Sequence, residues 1–491
     1  MNERSCQYLL CFLVTAGSWG LGQLAAKAEP PASHPVDIGT RVEMFVDDQL
    51  LDPARHRGVS IDLQTPERRE VVLTTDKPWE GIFSGYYTIL HDGLKFRLYY
   101  RGSGPVGDSS DKQYTCYAES TDGVHFVRPN LSLHEFNGSK DNNIILTGLV
   151  CHNFSPFLDA NPAAKPEERY KALAGQVNAL DAYVSPDGLR WKKLQADPVI
   201  TNGTFDSLNL AFWDTNAKSY RAYSRYFDQA AFKGYRSIQH CQSPDFVHWD
   251  EPQPNRYAEG VPKAHFYTNA TVLCPGAAHH YLSFPMRFIP ERKKVAEMKE
   301  GGVSDAVFMS SRDGKHWDRS HSESWLRPGT DQRNWTHRSN MPAWGIVRTG
   351  PDEFSMYVSE HYGWPDNRLR RVTIRRHGFA AAHAGLSGGE FTTRPIIFSG
   401  DKLVLNYATS AAGSIAVEIQ NENGQPIPGY TIADMAPLYG DELDATVTWK
   451  TNKTISSLAG KPVRLHFVLR DADLFALRTS KPNDKLPTSA P

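Results

Sequence analysis

With 491 residues, 54 Lys+Arg against 55 Asp+Glu and a formal charge of −1, the chain lacks the basic excess that neutralising a phosphate backbone requires, which excludes a nucleic-acid binder. The length admits more than one hydrophobic core. The 11 Trp, 21 Tyr and 23 Phe suit either a β-rich interior or rings that stack on a ligand, and the charge balance points to a neutral or mixed one.

In chain order, Arg4, the apolar run Tyr8–Val14 extended by Ala16–Leu21, and Ala26-Lys27-Ala28 before Glu29-Pro30 predict a signal peptide over residues 1–28, cut after Ala28, and a secreted or periplasmic protein. No segment approaches the ~20 apolar residues of a membrane span. Cys6 and Cys11 leave with the signal. Cys116, Cys151, Cys241 and Cys274 have no paired or metal spacing and are expected as free buried thiols. Pro30–Pro35 reads as a linker and Arg41–Asp48 as a first strand.

From Tyr86 a four-beat metre sets in. The turn S-T-D-G-V-H-F at Ser120–Phe126 recurs as S-P-D-G-L-R-W at Ser185–Trp191, S-P-D-F-V-H-W at Ser243–Trp249 and S-R-D-G-K-H-W at Ser311–Trp317, at intervals of 65, 58 and 68 residues. Asp-Gly between extended runs predicts a type I′ hairpin turn, with a strand opened by the aromatic. A near-constant period predicts a repeat architecture, here the four-stranded blade of a β-propeller. The first unit reads Tyr86–Leu90, Lys95–Tyr100, Gln113–Glu119 and Phe126; three more follow, the fourth opening with His265–Leu273. The fifth has three strands of its own, Ala343–Arg348, Glu353–Ser359 and Leu369–Arg375, and Val42–Val46 is expected to close it. The prediction is an all-β fold: a five-bladed β-propeller over 36–383, with Lys293–Glu300 as a loop overhanging the site. After Gly388-Gly389, short strands including Lys402–Ala408 and Ser414–Gln420 predict a β-sandwich over 388–479. A polar tail, 480–491, is expected to be disordered.

A five-bladed propeller followed by a sandwich resembles the arabinanase, levansucrase and invertase group, glycoside hydrolase families 32 and 43. The blade turns, Pro78-Trp79-Glu80-Gly81, Phe205-Asp206-Ser207 and Phe398–Gln420 carry the resemblance. It implies an exported glycoside hydrolase acting on a poly- or oligosaccharide. The motifs W-x-N-D-P-N-G, R-D-P and E-C are absent, so position rather than motif nominates the active residues.

Sugar hydrolysis uses two carboxyl groups flanking the scissile bond. In a blade, the innermost strand starts and the second strand ends at the same mouth of the channel. Innermost-strand starts give Glu80, His152, Asp206, His265 and Arg338; second-strand ends give Arg101, Arg225, Arg287 and Glu360. Asp206 and Glu360 are the acid/base or nucleophile candidates, and Glu80 a third, tuning carboxylate. Arg101, Arg225, Arg287, His152, His265, Arg338 and Trp335 are the substrate-binding candidates, with Trp335 or Trp344 as an aromatic wall. Three arginines at one mouth suit a uronic or sulfated sugar. Asp122, Asp187, Asp245 and Asp313 belong to the turns, and His279 and His280, as strand neighbours, are expected on opposite faces. No zinc spacing, phosphate-cradling loop or G-x-S-x-G is present, so no cofactor or metal is expected. The alternative is a non-catalytic carbohydrate-binding or scaffold propeller, in which the arginines simply pair the acids.

Overall fold

The computed structural model describes residues 34–104, 112–175, 178–230, 232–450 and 454–481. The expected signal peptide and the chain beyond Lys481 lie outside the described residues. The fold is all-β, its helical elements being short 3-10 turns. The sequence metre becomes a series of small antiparallel sheets of propeller type.

The first sheet orders Gly85–His91, Phe96–Gly102, Tyr114–Ser120 and Ile144–Thr147; the second Ser155–Leu158, Tyr170–Ala174, Asp181–Ser185 and Lys192–Lys193; the third Leu210–Asp214, Ser219–Gln229, Lys233–Ser243 and Gln253–Pro254. In the first, the outer strand is Ile144–Thr147 rather than the segment at Phe126, which keeps a single bridge between Glu119 and Val127. The fourth unit divides into two sheets: the expected innermost strand His265–Leu273 is broken at Ala270 (φ 42°), and Pro285, which has no N–H to donate, interrupts the next strand between Ser283 and Met286.

The repeated turns are not of type I′, which needs φ > 0 at both central residues. Asp122 is not among the residues with positive φ, whereas Gly123 (74°), Gly188 (73°), Phe246 (70°) and Gly314 (70°) are. The Asp side chain does the remaining work: Asp122 Oδ1 accepts from the N–H groups of Val124 and His125, both at 2.8 Å, and Ser120 Oγ accepts from Gly123 N–H at 3.0 Å. Each turn then seats on the preceding unit. Gly314 O accepts from Tyr223 Oη, Asp187 O from Arg97 Nη1, and Phe246 packs 5.7 Å from Phe157. Gly123 O accepts from Tyr357 Oη of the fifth unit, which closes the ring. A Cβ at Gly188 would stand 2.6 Å from Tyr99 Oη, so close approach as well as φ requires glycine there.

The fifth unit pairs Glu353–Glu360 with Arg368–Arg375, and its outer strand comes from the N-terminal side of the chain. That strand is Glu67–Thr74, not Val42–Val46. Val42, Met44 and Val46 join the large apolar core of the small sheets, while Phe45 between them joins the second core. A segment that sends residues into both cores is an interface staple, not a half-solvated edge.

The C-terminal region and residues 36–63 share one branched ten-stranded sheet around the second core, in which Phe391, Phe467 and Trp449 are buried. The expected separate strands Lys402–Ala408 and Ser414–Gln420 are one long strand, Lys402–Asn421, whose pairing with Val463–Ser480 shifts register between Thr409 and Ser414. A bulge there bends the strand without ending it. Cys116, Cys151, Cys241 and Cys274 are buried free thiols.

Candidate functional site: an arginine and tyrosine mouth

The mouth where innermost strands start and second strands end is held in unusual backbone. Tyr86 (φ 50°), Arg338 (61°) and His361 (58°) all adopt left-handed conformations that non-glycine residues avoid, a strain that concentrates at functional sites. Around them lies a connected belt. Arg101 Nη2 donates to Tyr362 Oη at 2.9 Å, its Nη1 reaches His152 Nδ1 at 3.3 Å, and its guanidinium lies 4.9 Å over Tyr86. Arg338 Nη1 donates to the same Tyr362 Oη at 2.9 Å and its guanidinium sits 5.2 Å from the Tyr267 ring. Arg225 also lies 5.2 Å from that ring and ion-pairs with Asp206. Five sequence candidates, Arg101, His152, Asp206, Arg225 and Arg338, are thus brought together.

Part of the belt lines a cavity of about 370 Å³, formed by Asp206, Arg225, Arg236, Tyr267, His337 and Arg338, with Phe227, Phe232 and Phe288; Arg101 and His152 are not among its lining residues. The Asp206 side chain is 50 % exposed. Phe227 and Phe232 also line an adjoining cavity of about 350 Å³ beside Asn202 and Gln239, and Phe232 is 60 % exposed. In the loop Lys293–Glu300 Met298 stands against Gly363, and none of the loop's residues lines either cavity.

The other candidates lie elsewhere. Glu80, completely buried, accepts from Tyr100 Oη (2.5 Å), Arg128 Nε (2.7 Å) and Lys77 N–H (3.0 Å). Its lone pairs are used in bracing the Lys77–Gly81 turn, so it is a structural carboxylate and not a tuning one. Glu360 is buried in the fifth unit between Arg370 (2.8 Å), Arg368 (2.9 Å) and Arg68 (3.4 Å). Burial pushes its carboxyl up, but the guanidiniums of Arg370 and Arg368 outweigh that and hold it below the ordinary range. It faces its cross-strand partners because it lies on a paired strand; the next residue, His361, leaves the strand, its imidazole between Asp366 and Asp331, each at 2.9 Å. Arg287 is committed to Asp305 at 2.5 Å. His265 accepts from the N–H of Arg236 at 3.3 Å and stands against Tyr235 on the outside of the hairpin. Trp335 Nε1 donates to Gly329 O at 2.8 Å, in a loop off the cavity.

Arg236, Tyr267, His337 and Phe227 were missed because the positional rule considered only the first strand and the end of the second. The readable signal was the length of the Ser219–Gln229 and Lys233–Ser243 hairpin, whose strands outrun their neighbours. Arg236 pairs directly across from Phe227, so Arg225, Phe227 and Arg236 share one face.

At the opposite end of the innermost strands is an apolar cavity of about 350 Å³. Ile89, Phe157, Trp213, Leu273, Trp344 and Ile346 are among its lining residues, and none of those residues is acidic. Trp344 belongs here, its Nε1 donating to Thr271 O at 2.8 Å.

His279 and His280 do not diverge as alternation predicts. Both approach Glu43, at 3.2 and 3.6 Å, because they fall in the bulge where Cys274 pairs with Ala277 and Leu273 with Tyr281. The three could together surround an ion. Arg312 at 2.6 Å and Arg41 at 2.5 Å already neutralise Glu43, which disfavours a cation.

No protein-family profile matches the chain, and no curated protein matches it in sequence. Among solved structures it is similar to an N-acetylgalactosamine deacetylase from F. plautii in complex with blood group B trisaccharide (12 % identity, covering 64 % of this chain and 95 % of that one, TM-score 0.42). It is also similar to a fructofuranosidase from Schwanniomyces occidentalis complexed with fructosylnystose (12 %, 85 % and 99 %, TM-score 0.41) and to an exo-inulinase from Aspergillus awamori (11 %, 83 % and 99 %, TM-score 0.39).

Proposed function

We propose that this chain is a carbohydrate-processing protein of glycosidase type, working at the arginine and tyrosine mouth with Asp206 as its acid–base carboxylate. The observation that carries the reading is the half-exposed Asp206, oriented by Arg225 in a cavity walled by Phe227, Tyr267 and Phe288. Aromatic rings present apolar faces for sugar rings, and the exposed Phe232 between two adjoining cavities suits an extended chain. His337 is the second proton-carrying side chain that lines the cavity.

The test is release of reducing ends by the purified chain on a polysaccharide panel. Turnover is expected, with Asp206→Asn lowering it by about 10²-fold or more; an unchanged rate in that variant overturns the assignment. A second reading, binding without turnover, is favoured by one observation: Glu80 and Glu360 are enclosed by arginines, whereas paired-carboxylate hydrolysis needs a second acid. Saturable binding with no release in the wild type selects it. Export through the N-terminal segment belongs to the same proposal, and N-terminal sequencing of the mature chain checks it, with cleavage after Ala28 expected.

A further inference from the structure

We propose that the mouth recognises an oxyanion carried by the saccharide, a carboxylate or sulfate group, and that Arg236 selects for it. This rests on the mouth being the ligand site and adds the charge class of what it takes.

Three other strand arginines each have an acid of their own. Arg97 meets Asp92 at 2.6 Å, Arg221 meets Asp214 at 2.9 Å and Arg287 meets Asp305 at 2.5 Å. Arg236 departs from that pattern. Among the described residues it makes no ion pair, and its buried Nε finds no hydrogen-bond partner. Its guanidinium instead lies 5.2 Å from the Phe227 ring, 5.4 Å from Phe288 and 5.7 Å from Tyr267.

Arg225 and Arg338 approach the same Tyr267 ring, each at 5.2 Å. Arg225 has its counter-charge there in Asp206, whereas Arg236 lines the same cavity with no acid of its own among the described residues. Like charges gathered away from bulk water are costly unless an opposite charge joins them. Burial, and then repulsion from Arg225 and Arg338, lower the proton affinity of Arg236 itself. A guanidinium stacked on a ring keeps its N–H edge for a planar or tetrahedral oxyanion in its own plane. The saccharide is the expected carrier because a free ion would fill a small part of a cavity of about 370 Å³ whose remaining wall is aromatic.

The test is calorimetric titration of the purified chain with three probes: a neutral oligosaccharide, the same backbone carrying uronate or sulfate groups, and inorganic sulfate or phosphate. The charged oligosaccharide is expected to bind about tenfold or more tighter than the neutral one, with the difference shrinking as salt rises. Arg236→Gln should erase that preference by weakening the charged oligosaccharide far more than the neutral one, and Arg236→Lys should restore part of it. Equal wild-type affinity for the neutral and charged oligosaccharides overturns the proposal. So does an equal loss for both probes in Arg236→Gln, or inorganic anion binding as tightly as the charged saccharide, which would make the site one for a free ion. Should Arg236→Gln fail to fold, the wild-type probe and salt series still decides. Binding with no turnover leaves this inference standing and removes the catalytic reading alone; no binding of any oligosaccharide removes both.

Discussion

Where the innermost strands begin, Asp206, Tyr267 and three arginines wall a cavity whose backbone is strained at Arg338. Where the same strands end, Phe157, Trp213 and Trp344 wall a cavity of similar size with no acidic residue among those lining it. Both ends are made by one repeat, so neither the strands nor their order explains the contrast. Charge does. At the first end ionic groups sit where a ligand could reach them; at the second, apolar closure joins the last unit to the first, as in the bridge between Thr88 and Trp344. A Cβ at Gly345 would stand 2.0 Å from Ile89 O, so the backbones there meet too closely for any other residue. The lesson is a division of labour along single strands, with ligand chemistry at one tip and ring closure at the other.

Four substitutions or conditions sharpen that contrast. The largest effect is expected at the first end: Asp206→Asn should lower turnover by about 10²-fold or more with little change in melting temperature, since its side chain is half-exposed. At the second end Trp344→Ala should do the reverse, costing about 3–5 kcal/mol of stability in urea unfolding while the surviving folded protein keeps its ligand affinity. Glu360→Gln tests whether that carboxylate is structural. Leaving Arg68, Arg368 and Arg370 without their shared counter-ion should cost roughly 3 kcal/mol, with ligand affinity unchanged; a selective loss of affinity instead would return Glu360 to the site.

The smallest effect concerns acid. His377, beside the apolar cavity, donates from Nε2 to Pro275 O at 2.9 Å, and burial, aided by Arg376 and Arg348 against Asp444, pushes its pKa down to about 4. Between pH 6.5 and 4 the unfolded chain therefore holds a proton that the folded chain resists. Stability should be full above pH 6.5 and fall by up to about 3 kcal/mol as pH drops toward 4. Urea midpoints measured across that range should slope in the wild type and flatten in His377→Gln.

The metre of the fold was legible because turns are local: Ser120, Asp122 and Gly123 satisfy one another within a few residues. The same locality explains the misreadings. Asp-Gly suggested a two-residue turn, yet the Asp side chain does what a second positive φ would have done. That Arg101, His152, Asp206, Arg225 and Arg338 lie along one connected belt was legible from strand position alone. Glu80 and Glu360 were misread because position says where a carboxylate begins, not which arginine it meets across the sheet; Arg128 is 48 residues from Glu80 in sequence. Arg236 escaped because its role depends on three rings from two units.

The pairing of Glu67–Thr74 with Arg368–Arg375 also bears on how the chain is made. Arg371 meets Glu70 across 301 residues of sequence, so the last small sheet cannot gain its outer strand until that whole stretch has been made. Closing so long a loop is slow relative to forming the local hairpins of the other units. During that interval Glu353–Glu360 and Arg368–Arg375 wait as an unpaired hairpin, and the arginines and glutamates along it, Arg368, Arg370, Arg371 and Glu360, guard the exposed edge against pairing with another chain.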